Sequence, residues 1–134
     1  MSRQKPTIVR LLYVSTVDGS LTWDDVRRIV DRAQVRNRQN DLTGMLAFHP
    51  PHFVQVLEGR PEALEAVMEH IRTDSRHHDI QLIERVETDR RRFARWSMAL
   101  LGAGALVADL AAIRDGRLSP EAVLAAMERE ALAL

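Results

Sequence analysis

The chain has 134 residues, enough for one compact domain and a short appendage, and its 19 basic residues balance 19 acidic ones. This balance argues against a nucleic-acid partner, since such a surface needs an excess of basic residues on one face. The lack of cysteine excludes disulfides and Cys-ligated metal sites. No apolar run reaches the ~18 residues of a membrane span, and residues 1–6 show no signal-peptide pattern, so we expect a cytoplasmic protein.

The first two predicted elements are a buried strand and an amphipathic helix. Residues 7–15 are rich in β-branched and aliphatic side chains and precede the turn-prone sequence Asp18-Gly19-Ser20, as is typical of a buried strand. Thr22 is suited to cap a helix that ends near residues 37–40. The apolar stripe of this helix consists of Val26, Ile29, Val30 and Ala33.

Two strands, a second helix and a further strand pair follow. Residues 42–48 and 53–57 predict strands joined by residues 49–52, where two prolines cannot donate to a strand ladder. Pro61 suits the first position of a helix with apolar residues at Leu64, Val67, Met68 and Ile71. Residues 80–86 and 93–100 predict a strand pair around the polar turn 88–92.

The order β-α-β-β-α-β-β predicts an α+β fold of the ferredoxin-like sandwich type, with a five-stranded mixed sheet and two helices on one face. Beyond residue 100 the composition turns to Ala, Leu and Gly, and two helices are expected. The first includes residues 106–113 and ends at Gly116; the second has Ser119 as its cap and Pro120 at its first position. We therefore divide the chain into a domain of residues 1–100 and a helical extension, residues 101–134, docked on the sheet.

Catalytic and metal-binding patterns are weak in this sequence. His49 and His52 flank the two prolines, but no carboxylate lies beside them at ligand spacing, and metal sites need three or four ligands. The sequence has no nucleophile elbow, phosphate loop or dinucleotide fingerprint. We expect no metal and no enzymatic activity.

Three polar residues stand where apolar ones are expected. Tyr13, the only tyrosine, lies in the middle of the first strand, and Gln55 interrupts an apolar strand. Asn37 lies at the end of the first helix, where an asparagine alone would be taken as a cap. A buried amide without partners costs about 1–3 kcal/mol, so these residues need an explanation.

The segments that contain these residues closely resemble the motifs of the BLUF family of flavin-binding blue-light sensors. The matching segments are residues 12–15 (LYVS), Asn37, 42–46 (LTGML), 53–59 (FVQVLEG), 74–77 (DSRH) and 92–98 (RFARWSM). The resemblance covers roughly residues 7–100. It implies a non-covalent flavin between the two helices, with FAD expected and FMN or riboflavin as alternatives.

The resemblance also implies roles for individual residues. Tyr13 would donate an electron under light, and Gln55 would bridge its hydroxyl to the flavin. Asn37 would hydrogen-bond the ring edge. Trp96 and Met98 would pass the signal to the terminal helices, from the same face of the last strand because they lie two residues apart. The apolar walls would be Ile29, Leu46, Phe53 and Ile71, and the tail side would be Asp74, Arg76 and His77.

The resulting hypothesis is a blue-light photoreceptor that acts on a separate, unidentified signalling protein, with no nucleic-acid or membrane partner. The apolar terminal helices favour a homo-oligomer. One alternative is a small acylphosphatase-like enzyme, which needs a Gly-rich loop with an Arg after the first strand; residues 15–20 contain one Gly and no Arg. The other is a flavin-free dimerisation module, which would leave Tyr13 and Gln55 without a purpose.

Overall fold

A computed structural model of the chain describes residues 7–101 and 110–132. Within these ranges no helix is long and apolar enough to span a membrane. The elements in chain order are β1 (Ile8–Val17), α1 (Trp23–Gln39), β2 (Thr43–His49), β3 (His52–Gly59), α2 (Pro61–Thr73), β4 (His77–Thr88), β5 (Ala99–Leu101), α3 (Leu110–Asp115) and α4 (Pro120–Leu132).

The five strands form one mixed sheet in the order β4-β1-β3-β2-β5. β1 is antiparallel to both β3 and β4, and β2 is antiparallel to β3. β5 runs parallel to β2 at the edge of the sheet. This arrangement, with α1 and α2 on one face, confirms the predicted ferredoxin-like sandwich with one additional strand.

The predicted pairing of the last two strands is wrong. β4 and β5 lie at opposite edges of the sheet, and of the predicted strand 93–100 only residues 99 and 100 are extended, as part of β5 (Ala99–Leu101). Between β4 and β5 the chain has to pass β1, β3 and β2 to reach the opposite edge of the sheet. Residues 89–98 therefore form an irregular crossover. The backbone N–H groups of Arg92 and Phe93 donate to the Glu58 carboxylate, at 2.8 and 2.6 Å, instead of to a strand ladder.

We call the sheet surface under α1 and α2 the front face. Thr22 caps α1 with a capping box: its Oγ1 accepts from the Asp25 N–H at 3.1 Å, and its own N–H donates to the Asp25 carboxylate at 2.9 Å. The apolar stripes of the two helices then cover alternate strand residues, because successive side chains of a strand point to opposite faces. The front-face strand residues include Val9, Leu11, Tyr13, Leu46, Phe53 and Leu57.

The opposite surface, the back face, is covered by α3 and α4. Ser119 caps α4 by accepting a hydrogen bond from the Ala122 N–H at 3.1 Å, and Gly116 follows α3 with a φ of 83°. The part of the predicted helix 106–113 that precedes Leu110 falls outside the described residues. The back-face cluster includes Leu12, Val14, Met45, Val54 and Val56 of the sheet, with Leu110, Ile113, Val123, Leu124 and Met127 of the helices.

Candidate functional site

A cavity of about 290 Å³ lies between α1 and α2 on the front face. Its volume is near the lower end of the range for small-molecule sites, about 300–1,000 Å³. All of the predicted cofactor-binding residues except Tyr13 and Asn37 line it. The predicted residues in its lining are Ile29, Leu46, Phe53, Gln55, Ile71, Asp74, Arg76 and His77.

Tyr13 lies beside this cavity and contacts it through Gln55. The two residues are directly opposite each other in the β1–β3 register, so their side chains share the front face. The Tyr13 hydroxyl donates a hydrogen bond to Gln55 Oε1. Tyr13 is fully buried, and this burial raises its pKa far above the ordinary value, although the charge of Arg36 acts in the opposite direction. The phenol is therefore a neutral donor, and Gln55 is its acceptor at the cavity floor.

Asn37 lies at the end of α1 with only half of its amide satisfied. Its Nδ2 donates to the Ser97 carbonyl at 2.5 Å. Its Oδ1 is buried and has no hydrogen-bond partner within the described part of the chain. A buried acceptor of this kind costs about 1–3 kcal/mol unless a ligand N–H reaches it. Together with the apolar walls, it suits a flat heterocycle that has an N–H on its edge, as a flavin ring has.

The other end of the cavity is polar. The Arg76 guanidinium binds the Asp74 carboxylate at 2.6 Å and, by its hydrogen bonds, lowers the pKa of Asp74 to about 2. Burial lowers the pKa of His77 below its ordinary value, against the nearby charge of Asp74, so this imidazole is neutral at pH 7. His77 is held by Phe53, with ring centroids 5.3 Å apart, and by the Ser15 hydroxyl, 3.3 Å from Nδ1.

Several residues that line the cavity were not predicted from the sequence. Arg32 and Arg36 line its α1 side, and His70 lines its α2 side. The Arg36 Nε is buried and has no hydrogen-bond partner among the described residues. Helical spacing could have identified the two arginines, because residues 29, 32, 33 and 36 share one face of α1 and Ile29 was already assigned to the cavity. These arginines add positive charge suited to an anionic group.

The prediction that Trp96 and Met98 share a face is wrong. Met98 is buried in the front-face core and lines the cavity, whereas half-buried Trp96 packs against the back-face cluster. Side-chain alternation applies only to regular strands, and these residues precede β5. Their backbone is instead held by Gly44, whose N–H donates to the Trp96 carbonyl at 2.9 Å, and by Gln34, whose Nε2 donates to the Met98 carbonyl at 2.8 Å.

Comparisons with known proteins agree with this geometry. The family model described as "BLUF: Sensors of blue-light using FAD" matches residues 8–99. Two curated relatives are similar over 69% of this chain: the "Blue light- and temperature-regulated antirepressor BluF" of Escherichia coli (strain K12), 32% identical, and the "Photoactivated adenylate cyclase subunit beta" of Euglena longa, 31% identical. The match spans only 23% and 11% of those two proteins.

Solved structures extend the similarity to nearly the whole chain. The structure described as "BlrB - a BLUF protein, dark state structure" superposes with a TM-score of 0.78 at 30% identity, covering 97% of this chain and 98% of that one. "Klebsiella pneumoniae BlrP1 with FMN and cyclic diGMP, no metal ions" superposes with a TM-score of 0.67 at 34% identity, covering 81% of this chain and 30% of that one. With its family-model match, its fold and the buried tyrosine–glutamine pair beside its cavity, this chain belongs to the BLUF family of blue-light sensors.

Proposed function

We propose that this protein is a blue-light photoreceptor whose cavity between α1 and α2 binds one non-covalent flavin. The observation that carries the proposal is the buried hydrogen bond from Tyr13 to Gln55 at the floor of that cavity. A redox-active phenol, fully buried and joined to an amide beside an apolar slot, suits light-driven electron and proton transfer better than substrate turnover. The BLUF domain itself is a sensor with no catalytic role.

The flavin would be held by groups along both ends of the cavity. Asn37 Oδ1, which lacks a partner, would accept a hydrogen bond from the ring N–H, and the second Nδ2 hydrogen would donate to a ring carbonyl. Ile29, Phe53 and Ile71 would pack against the ring. Asp74, Arg76 and His77 would lie towards the ribityl and phosphate tail, with Arg32 as a further cation. The positive charges of Arg32 and Arg76 favour a phosphorylated flavin over riboflavin, and the family description names FAD.

The photochemistry would use Tyr13 and Gln55 as a unit. A bound flavin supplies blue-light absorption and an acceptor for one electron. Tyr13 would lose that electron and, because an oxidised phenol is a strong acid, pass its proton to Gln55 Oε1, the acceptor to which it already donates. The electron would return to Tyr13 together with one proton from Gln55: return of the Oε1 proton leaves a rotated amide, and return of an Nε2 proton leaves the imidic tautomer. Gln55 would remain rotated or tautomerised until thermal decay, which changes its hydrogen bonds without a covalent product.

The light-induced structural change would be transmitted through the segment around residues 96–98. Asn37 and Gln34 of α1 bind the carbonyls of Ser97 and Met98, and Met98 lines the cavity. Trp96, two residues away, packs on the back face, so this short segment connects the flavin cavity to α3 and α4. The receiver would be a separate protein, and homo-oligomerisation through the terminal helices remains part of the proposal.

An absorption spectrum before and after blue illumination tests the function. The purified protein should be yellow, and light should give a small red shift of the flavin band that reverses fully in the dark. Mass spectrometry of the released chromophore distinguishes FAD from FMN and riboflavin. A protein that stays colourless after refolding with excess FAD would contradict the proposal and favour the flavin-free alternative.

A further inference from the structure

Arg92 joins three parts of the molecule: the crossover, β3 and α4. Its backbone N–H donates to the Glu58 carboxylate of β3 at 2.8 Å. Its guanidinium binds both carboxylate oxygens of Glu121 of α4, at 2.7 and 2.9 Å, and lies 3.3 Å from the Glu128 carboxylate. The next residue, Phe93, is fully buried in the back-face cluster. The main chain of Arg92 is therefore fixed to the sheet, while its side chain reaches the helix that covers the back face.

The contact between Arg92 and Glu121 has the geometry of a strong ion pair. Two N–H···O bonds from one guanidinium to one carboxylate fix the direction of the contact as well as its length. The Arg92 side chain is only 18% exposed, although that of Glu121 is 72% exposed. The hydrogen bonds from Arg92 lower the pKa of Glu121 below its ordinary value. The carboxylate is therefore charged at pH 7, as the pair requires.

This ion pair fixes the position of α4 along its own axis. Glu121 and Glu128 lie on the same side of α4, because seven residues make almost two full turns of a helix. The residues that pack α4 against the sheet are apolar and include Val123, Leu124 and Met127. Apolar contacts are non-directional, whereas a hydrogen bond weakens steeply with small changes in distance and angle. The polar contact is therefore the more sensitive to sliding of the helix.

Arg92 and Trp96 contact the back-face layer in different ways. Arg92 is held in place by buried Glu58, which also accepts from the Phe93 N–H at 2.6 Å. Trp96 packs against the back-face cluster from a short segment that also includes Met98, which lines the flavin cavity. A displacement of Trp96 while Arg92 stays in place tilts α4 about the ion pair instead of moving the helix as a whole.

We propose that Arg92 is a positioning residue for the light output. It holds one point of α4 at a fixed position relative to β3, so that a displacement at residues 96–98 changes the tilt of the helix. The positioning of α4 depends only on the contacts of Arg92, whereas its use in the output rests on the proposed light sensing. Without the ion pair, α4 takes up the displacement of Trp96 by sliding on its apolar contacts.

Hydrogen exchange of the full chain in the dark tests the positioning of α4. Arg92→Gln removes the charge and the bidentate contact, and Glu121→Gln removes the charged partner. Each should speed exchange of the α4 amides about three- to tenfold, and the double variant should exchange no faster than Arg92→Gln. Arg27→Gln is the matched control, because Arg27 binds Asp24 within α1 at 2.9 Å. Unchanged α4 exchange in Arg92→Gln, or additive effects in the double variant, would overturn the proposal.

Methyl NMR of methionines under blue light tests the coupling to the cavity. Met98 lines the flavin cavity, and Met127 lies on α4 in the back-face cluster. Both signals should shift reversibly in the illuminated wild-type protein. In Arg92→Gln the Met98 shift should remain, and the Met127 shift should fall about threefold or more. Arg92→Lys keeps the charge but loses the bidentate contact, so its Met127 shift should lie between the two. Arg27→Gln should behave as wild type.

The two methyl signals separate the possible outcomes. A full Met127 shift in Arg92→Gln would overturn the role of Arg92 in the output. Loss of the Met98 shift as well would mean that Arg92 supports the cavity itself, and would also overturn the proposal. A wild-type protein with no light-induced Met98 shift would contradict the proposed light sensing and, with it, the coupling. Hydrogen exchange in the dark would still decide whether Arg92 positions α4.

Discussion

Tyr13 and Gln55 owe their contact to strand register. Each lies in the middle of a strand, directly opposite the other, with apolar neighbours on the same face. A side chain has few alternative positions when its strand is hydrogen-bonded to neighbouring strands on both sides. This restriction suits a pair that must return to the same dark geometry. Asn37 and Gln34 act similarly from α1, since each binds a carbonyl of the 97–98 segment.

Removing either member of the tyrosine–glutamine pair should abolish the light response and leave the flavin bound. Tyr13→Phe removes the phenolic proton, and Gln55→Leu keeps a similar volume but removes the donor and the acceptor. Absorption spectra after illumination should show no normal red shift in either variant. Trp96→Phe is the control, because Trp96 lies on the back face and should alter lifetime or output only. A normal cycle in Tyr13→Phe, lost in Trp96→Phe, would assign the donor to Trp96.

Asn37→Ala should weaken flavin retention. The substitution removes the buried amide whose Oδ1 has no partner in the described residues. Each lost hydrogen bond costs about 1–3 kcal/mol, or roughly 5- to 150-fold in the dissociation constant. Fluorescence titration of apoprotein with FAD measures the change. Asn40→Ala, at an exposed asparagine whose Nδ2 donates to the Arg36 carbonyl, is the matched control. Equal retention in both variants would exclude Asn37 as a flavin ligand.

β3 contributes side chains to both faces of the sheet, and its Glu58 also anchors the crossover that follows β4. Gln55 faces the flavin cavity, while Val54 and Val56 face α3 and α4. Near its end, fully buried Glu58 binds Arg10 at 3.2 Å and accepts from the backbone of residues 92 and 93. The Arg92 guanidinium then binds Glu121 of α4 at 2.7 Å. One carboxylate thus organises a crossover that has no ladder of its own.

Glu58→Gln should therefore destabilise the fold by about 3 kcal/mol. The amide keeps the shape but removes the negative charge that pairs with Arg10, and its NH2 group replaces one of the two oxygens that accept from the backbone N–H groups of Arg92 and Phe93. Urea unfolding should show a lower midpoint with an unchanged slope. Glu69→Gln, in an exposed pair with Arg72, should change stability by less than about 1 kcal/mol. A Glu58→Gln midpoint equal to wild type would contradict this account of the crossover.

Residues 7–101 and 110–132 form three layers, with the sheet between α1 and α2 on the front face and α3 and α4 on the back face. Both faces of β1, β2 and β3 carry apolar residues, so neither face is suited to water. The boundary between a domain of residues 1–100 and an extension of residues 101–134 remains a prediction, because packing alone does not show whether the two parts fold independently.

Deletion of residues 101–134 tests whether the extension is needed to cover the back face of the sheet. It removes the helices that cover Leu12, Val14, Val54 and Val56, and an exposed apolar face of this kind promotes association. We expect the truncated protein to aggregate in size-exclusion chromatography. Arg129→Glu, at an exposed position of α4, should behave as wild type. A truncated protein that is soluble, monomeric and equally stable would contradict the role of the extension as the cover of the back face.

Properties that depend on residues close together in the chain were predictable from its sequence. Periodicity and caps predicted α1, α2 and the first four strands, and the family motifs identified Tyr13 and Gln55 as a pair. The tertiary structure alone decided the path of residues 89–98, the opposite faces of Trp96 and Met98, and the use of the Asn37 amide by Ser97. Asn37 and Ser97 are 60 residues apart, and their contact depends on how α1 packs against the sheet rather than on any local pattern.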